Sequence, residues 1–276
     1  MRTTLSADNP FGFDRFGFAF EVVRADRELG RHLDYGCFDG TFLKGLQGHM
    51  GRELEVVGVD VNEDALRRIR IRDSDGDGDG DGDSDGGGAV PCARISDQGS
   101  LPFADGSFDS ISCLEVLEHV SSDRRRELLD EFRRLLAPVG VLIVSTPGRH
   151  VFSVFDLGNV KFRAPALHRL FVQARHGKAH YRDRYQENRF RLIGDVSVDA
   201  GWHEHFSHAQ LAALLEKAGF EVVRTDGTGL FALPLTLLGV VLPVKQAKSA
   251  VNRLQRRDAA MWDRANVFVA ARRGGQ

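Results

Sequence analysis

The chain has 276 residues and a formal net charge of -2, from 37 Lys+Arg against 39 Asp+Glu. That length suits one elaborated domain or two small ones and can bury a sizeable core. Hydrophobic residues at 42% and charged residues at 28% exclude a fully disordered chain, a collagen and a multi-span membrane protein.

The near-neutral total hides a split. Residues 73–88 hold seven Asp and no Lys or Arg, while residues 149–191 hold eight Arg and two Lys against three acidic residues, a net +7. The overall charge therefore says little about partners. The three cysteines, Cys37, Cys92 and Cys113, are odd in number and not at a metal-ligand spacing. No disulfide framework or metal is expected, and a reducing cytoplasm fits. The N-terminus lacks the continuous apolar core of a signal peptide.

In chain order, Phe16, Phe20 and Val23 fall at i, i+4 and i+7 and predict an amphipathic helix in an N-terminal cover, residues 1–30. His32–Tyr35 reads as a short strand running into Gly36. Thr41–Met50 reads as a helix. Leu54–Asp60 is a β-branched apolar run, read as a buried strand, and Asn62 caps the helix after it. Residues 73–88 offer no apolar side chain to bury and are read as a flexible surface loop. Their alternating Asp resembles the start of an EF-hand, but no Glu sits at the twelfth position.

Val90–Ile95 and Phe108–Leu114 are the next strands. Asp123–Ala137 is a charged amphipathic helix stopped by Pro138, and Val139–Thr146 is a strand stopped by Pro147. A basic, aromatic and irregular insert follows over 147–201. The C-terminal part, 202–276, holds a helix over Ala209–Ala218 capped by Ser207, a strand Phe220–Thr225, a mostly helical stretch 229–263 and a last strand Ala265–Ala271. Seven strands alternating with helices predict an α/β fold, a doubly wound and mainly parallel sheet with helices on both faces. Ligands in such sheets bind at the carboxyl ends of the strands, near the switch point beside the first one.

The first strand ends in Asp34-Tyr-Gly36-Cys-Phe-Asp-Gly40, and the second ends in Asp60, 20 residues after Gly40. A glycine-rich turn and a downstream acid that can accept ribose hydroxyls indicate an adenosine-type cofactor. Further along come Ser96-Asp97-Gln98, Leu101-Pro102-Phe103, Phe108-Asp109, Cys113-Leu-Glu-Val-Leu-Glu-His119, Leu136-Ala-Pro-Val-Gly140, Glu204-His-Phe-Ser207 and Leu214-Leu-x-x-Ala-Gly-Phe-Glu-Val222. This ordered series resembles class I S-adenosylmethionine (SAM)-dependent methyltransferases, over about 31–146 and 202–226.

The resemblance implies a Rossmann-like core over 31–146, with helical and irregular substrate-side insertions. It implies that the turn with Gly36, Cys37, Phe38 and Gly40 holds the methionine part of SAM and that Asp34 reaches its ammonium. Asp60 would hold the ribose, Val61 would pack on the adenine, Asp97 and Gln98 would meet the adenine amino group, and Leu114 would line the methionine end. The sequence departs from the family at Phe38, where a glycine is usual, and a side chain there crowds the cofactor unless it points outward.

Methyl transfer from a sulfonium has a good leaving group, so positioning and exclusion of water are the protein's main tasks. His119, after the fourth strand, is the first choice for a base. Arg149, Tyr181, Tyr185 and His203 are the candidates for holding substrate. His203 and His205 flank Glu204 without the further spacing that a metal site needs. Asp109 is expected to contact backbone, Cys37 and Cys113 to be small packed residues, and Glu115 and Glu118 to be exposed helix-start charges.

The arginines of the basic insert read either as a solvated surface or as a site for phosphate or carboxylate, and Leu230–Val244, with the basic Lys245–Arg257 after it, reads as a buried helical hairpin or as a segment lying on an anionic membrane. The acceptor expected is a small molecule or a lipid- or glycan-linked one, anionic and met at a peripheral membrane contact if the second reading of each segment holds. The Asp/Asn-Pro-Pro-Tyr motif of many nucleic-acid methyltransferases is absent, with Cys113-Leu-Glu-Val in its place, which argues against nucleic acid. Two other readings stay open: a non-catalytic SAM-binding or interaction protein, favoured by Phe38, and an NAD(P)-dependent oxidoreductase. The oxidoreductase predicts G-x-G-x-x-G, which Gly36, Phe38 and Gly40 do not match.

Overall fold

The computed structural model describes residues 9–12, 14–25, 30–62, 66, 92–94, 100–149, 164–186, 204–229, 251, 253–255, 257, 258 and 266–274. Residues 73–88, Asp97, Gln98, His203 and Leu230–Val244, on which several expectations rest, lie outside the described residues.

Among the described residues, seven strands form one sheet: β1 (Arg31–Tyr35), β2 (Glu55–Asp60), β3 (Cys92–Arg94), β4 (Phe108–Leu114), β5 (Leu136–Pro147), β6 (Phe220–Thr228) and β7 (Asn266–Arg273). Their order is β3-β2-β1-β4-β5-β7-β6. All pairings are parallel except those of β7, which runs antiparallel to β5 and β6. The order reverses between β1 and β4, and that is the switch point of the doubly wound sheet.

β2 shows why the sequence folds this way. Five of its six residues, Val56–Asp60, are buried, as a strand covered on both faces requires. Two core clusters lie on the two faces. One joins Leu33, Ile111, Leu142 and Val269 to helices α3 (Ser122–Leu135) and α5 (His208–Lys217). The other joins Val56, Ile143 and Phe268 to helices α1 (Arg15–Ala25) and α2 (Thr41–Met50). In α1, Phe20 and Val23 are buried as their spacing predicts, and Phe16 stacks on Phe42 at 5.3 Å.

Three boundaries differ from the sequence reading. The helix before β5 ends at Leu135, and β5 begins at Leu136, so Pro138 lies inside the strand. The β4–β5 register shifts between Phe108 and Ser110, and 137–139 are the more exposed residues of the strand. An irregular strand start is where proline is tolerated. Second, the insert expected to be irregular contains α4 (Pro165–His176) and a helical turn, Lys178–Tyr181. Third, β6 runs on to Thr228, because β7 offers it partners as far as Asn266.

Asp109 behaves as expected. Its Oδ2 accepts the backbone N–H groups of Gly30 and Arg31 at 3.0 and 2.9 Å, which fixes the start of β1.

Candidate functional site

The carboxyl ends of β1, β2 and β4 meet at the switch point. The chain leaves β1 through a tight turn in which Gly36 and Cys37 both donate to the Val59 carbonyl of β2, at 2.8 and 3.2 Å. Gly40 donates to the Cys37 carbonyl at 2.8 Å, and its own carbonyl accepts from Lys44 as α2 begins. Gly36, Phe38 and Gly40 have φ of +84°, +46° and +72°. Only glycine adopts such angles at little cost.

Gly36 is also a close approach. A Cβ there would lie 2.5 Å from Cγ2 of Val116. Gly36→Ala is therefore expected to lower the unfolding free energy by about 2–4 kcal/mol, from the left-handed backbone and the overlap together. Urea unfolding checks this, and adding Val116→Ala should recover only the overlap part. Full recovery would contradict the backbone argument.

Phe38 departs from glycine yet keeps the left-handed conformation. Its N–H donates to Asp60 Oδ2 at 2.7 Å. Its ring is 50% exposed, so it does not fill the core beneath the turn. Asp60 Oδ1 accepts from the Asn62 N–H at 2.7 Å; all but Leu66 of the helix expected after Asn62 lies outside the described residues. One carboxylate thus ties the turn after β1 to the segment after β2.

Asp34 and Asp60 are buried on adjacent strands, at 4% and 8% exposure. Burial raises the Asp34 carboxyl to about 7; the Ser112 hydrogen bond lowers it, and the Asp60 charge raises it. Burial also raises Asp60, against the pull of the backbone N–H groups of Asn62, Phe38 and Val61. A cation brought against this pair would relieve part of the cost. Such paired, perturbed carboxyls at strand ends mark a binding-site candidate.

Cys37 is buried in the turn, and the expectation that it packs as a small residue fits this placement. A Cβ on Gly58 would lie 2.8 Å from the Sγ atoms of both Cys37 and Cys92, so the two thiols flank that glycine. The neighbouring Cys92 thiol and burial push the Cys37 thiol up, which keeps it protonated. Nothing in the 55-residue separation indicated this contact. Val61 is half-buried against the core, and Leu114 is buried at the end of β4.

Beyond β4, Glu115 has φ +58°. Its N–H donates to the Ser145 carbonyl at 3.0 Å, and its Oε1 accepts from Ser145 Oγ at 2.8 Å. Glu118 is 1% exposed. Neither is a solvated helix-start charge: the chain after β4 turns tightly back onto β5 and α3. His119 closes the 3-10 turn Leu117–His119, with its side chain 22% exposed and Nε2 3.8 Å from Glu118 Oε1.

The far wall is the segment Glu204–Phe206. Its Phe206 pairs with Gly148 beyond the end of β5, and Arg149 donates its N–H to the Phe206 carbonyl at 2.8 Å. The Arg149 side chain is exposed there. His205 Nδ1 stands 3.1 Å from the Gly148 carbonyl. Glu204 pairs with Arg125, whose Nε donates to the Leu117 carbonyl at 3.0 Å and whose guanidinium lies 4.9 Å from the Phe206 ring centroid. Arg125 thus fastens the wall to the turn that carries His119. Its side chain is 6% exposed against 40% for Glu204. Because Glu204 is partly solvated, Glu204→Ala is expected to cost only about 1–2 kcal/mol, measured by thermal unfolding. A null effect would show that the Leu117 carbonyl and Phe206 suffice to hold Arg125.

Tyr181 and Tyr185 come together, but as an aromatic group of the insert. Both rings meet His168 of α4, at 5.8 and 4.8 Å between centroids, and each other at 5.3 Å. Among the described residues, no group of three or more His, Cys, Asp or Glu is placed to hold a metal ion. Among them too, no helix is long and apolar enough to cross a membrane.

Sequence reasoning missed His32, Ser110 and Ser112, which are all buried beside Asp34. Their signal was the H-x-D of β1 and the S-x-S of β4, polar residues at alternate positions of two central strands.

Comparison with known proteins agrees with this geometry. The family described as "Methyltransferase domain" matches residues 14–225. An uncharacterised protein of Methanocaldococcus jannaschii is 30% identical over 112 residues, which are 41% of this chain and 38% of that protein. The match thus spans well under half the length of that relative. A SAM-dependent methyltransferase from Methanosarcina mazei shares the fold with a TM-score of 0.53 at 19% identity, over 93% of this chain and 98% of that one. The [4+2]-cyclase SpnF also has a TM-score of 0.53, at 16% identity, over 100% of this chain and 88% of that one. At such identities the likeness concerns the fold alone.

Proposed function

Because the chain belongs to the methyltransferase-domain family, whose methyl donor is SAM, we propose that it transfers a methyl group to an anionic small-molecule or lipid- or glycan-linked acceptor. The observation that carries this reading is the pair of buried carboxyls, Asp34 and Asp60, beside a tight turn in which Gly36, Phe38 and Gly40 take left-handed backbone.

The residues fit the group. The turn 36–40 stands at the carboxyl ends of β1 and β2, where Gly36 and Gly40 would present backbone to a ligand. Asp34 offers a buried carboxyl to an ammonium. A carboxylate has about four acceptor sites, so Asp60 can accept ribose hydroxyls while keeping its backbone partners. Val61 would pack on the adenine, with Asp97 and Gln98 at its amino group, and Leu114 would line the methionine end.

SAM supplies an activated methyl on a sulfonium. The chain's own work is to orient, to exclude water and, for an acceptor that holds its proton, to remove it. His119 is the proposed base, on the turn that Arg125 fastens to the far wall. Arg149, exposed past the end of β5, is proposed to meet an acceptor anion, with Tyr181, Tyr185 and His203 in the cover.

The acceptor class is argued from α4 and the turn after it. Leu167, Leu170 and Phe171 are 61%, 67% and 65% exposed at i, i+3 and i+4. No acidic residue occurs between Pro165 and Arg182, whereas Arg169, Arg175, Lys178 and Arg182 do. An exposed apolar face beside basic residues suits an anionic lipid surface.

A second reading, SAM binding without transfer, is favoured by Phe38 in the glycine position. Incubation with methyl-labelled SAM and fractionated cell extract separates the two. Label in an acidic lipid or glycan fraction supports transfer to that class, and label in nucleic acid alone contradicts it. SAM binding with no label in any fraction favours the second reading.

A further inference from the structure

The parallel register of β1 and β4 sets His32 beside Ser110 and Asp34 beside Ser112. Residues two apart on a strand share a face, so four polar side chains form one line. All four are buried, at 4% exposure or less. Burying polar groups in the middle of a sheet is costly unless each is satisfied.

The line has a definite polarity. Ser112 Oγ donates to Asp34 Oδ1 at 2.5 Å. A hydroxyl has one proton to give, so towards His32 it can only accept. His32 Nε2, 2.9 Å from Ser112 Oγ, therefore carries the imidazole proton. Nδ1 is then an acceptor for Ser110 Oγ at 2.7 Å. Burial keeps the ring neutral by lowering it to about 3. Every donor in the line thus points toward the Asp34 carboxylate.

We infer that Ser112 and His32 are positioning residues for the amino-acid end of SAM: the line holds Asp34 in one rotamer, as an ionised acceptor for an ammonium. The inference rests on the assignment of Asp34 to that ammonium. The titratable groups facing Asp34 are Asp60 at the end of β2, Cys37 on the turn, Cys113 at the end of β4, and His32, on its own strand and linked to it through Ser112. Of the groups around Asp34, Ser112 lowers its carboxyl, while burial and Asp60 raise it. Loss of Ser112 Oγ leaves only the raising influences.

The test is titration calorimetry on the full chain between pH 6 and 8.5. The two ligands are S-adenosylhomocysteine, which carries the ammonium, and 5′-methylthioadenosine, which lacks the amino-acid part. In the unaltered chain the homocysteine ligand should weaken as pH falls below about 7, and the thioadenosine should not. Ser112→Ala should weaken the homocysteine ligand about tenfold, change the thioadenosine less than about threefold, and move the pH edge upward. Ser112→Thr, which keeps the hydroxyl, should restore both. If Ser112→Ala does not fold, Ser110→Ala, one link further from Asp34, should shift the edge in the same direction by less. Equal loss of both ligands, or no loss of either, overturns the positioning role. If the unaltered chain binds neither ligand, the assignment of Asp34 fails first, and the positioning role fails with it.

Discussion

Asp60→Ala is expected to lower the unfolding free energy by about 2–3 kcal/mol and to weaken SAM binding at least about a hundredfold. Its carboxylate accepts the Phe38 and Asn62 N–H groups at 2.7 Å each, and hydrogen bonds to a charged acceptor are worth about 1.5–3 kcal/mol apiece. The burial that raises this carboxyl offsets part of that sum. Removing it takes away the acceptor of the left-handed Phe38, at φ +46°. Asp60→Asn keeps one acceptor oxygen, so it should lose about half as much stability and most of the affinity. Urea unfolding and calorimetry check the pair. Unchanged SAM affinity in Asp60→Ala would remove the ribose role and leave a purely structural tie.

The second large effect concerns pH. The folded value of His32, about 3, lies below the ordinary 6.5, so between these values the unfolded chain binds more protons. Stability from this group is lost as pH falls from 6.5 towards 3. The folded value of Asp34, about 7, lies above the ordinary 3.8, so there the folded chain binds more protons. Stability from that group is lost as pH rises from 3.8 towards 7. Each slope approaches about 1.4 kcal/mol per pH unit, and between about pH 4 and 6.5 they oppose each other. The unaltered chain should therefore show little net slope from this pair. Relative to it, Asp34→Asn should gain stability as pH rises through that window, and His32→Leu should lose it. Urea unfolding at pH 4.5, 5.5 and 6.5 reads the difference, in which other groups cancel. Parallel pH profiles in all three proteins would contradict the buried placement of the two side chains.

Which parts of the molecule were legible depends on how far apart the responsible residues lie. β2 was plain because Leu54–Asp60 concentrates β-branched residues, and burial on both faces needs nothing else. The site's location followed from Gly36, Gly40 and Asp60, since turn chemistry and strand ends are local. The line beside Asp34 joins residues 78–80 apart, so H-x-D and S-x-S showed alternate polar positions but not that the two sets face each other. Glu118 looked solvated for the same reason, because its burial depends on the chain folding back onto β5 and α3. Pro138 was read as a helix stop, but the helix had already ended, at Leu135, and the irregular start of β5 accommodates the ring. Tyr181 and Tyr185 were legible as aromatic residues of a basic insert, but not their shared contact with His168, which depends on how the insert folds on itself.

The acceptor depends on surface chemistry more than on the core. The Asp/Gly run offsets the basic insert in the total charge, and the -2 therefore conceals a cationic segment after β5. The proposed anionic acceptor would complement such a segment.

SAM is proposed to bind at the ends of β1 and β2. Titration calorimetry of S-adenosylhomocysteine into the full chain, with NAD and NADP in parallel, tests it most directly. One equivalent of S-adenosylhomocysteine should bind, Asp60→Ala should weaken that binding at least about a hundredfold, and the nicotinamide cofactors should give no heat. Saturable binding of a nicotinamide cofactor, with none of S-adenosylhomocysteine, would contradict SAM binding at this site.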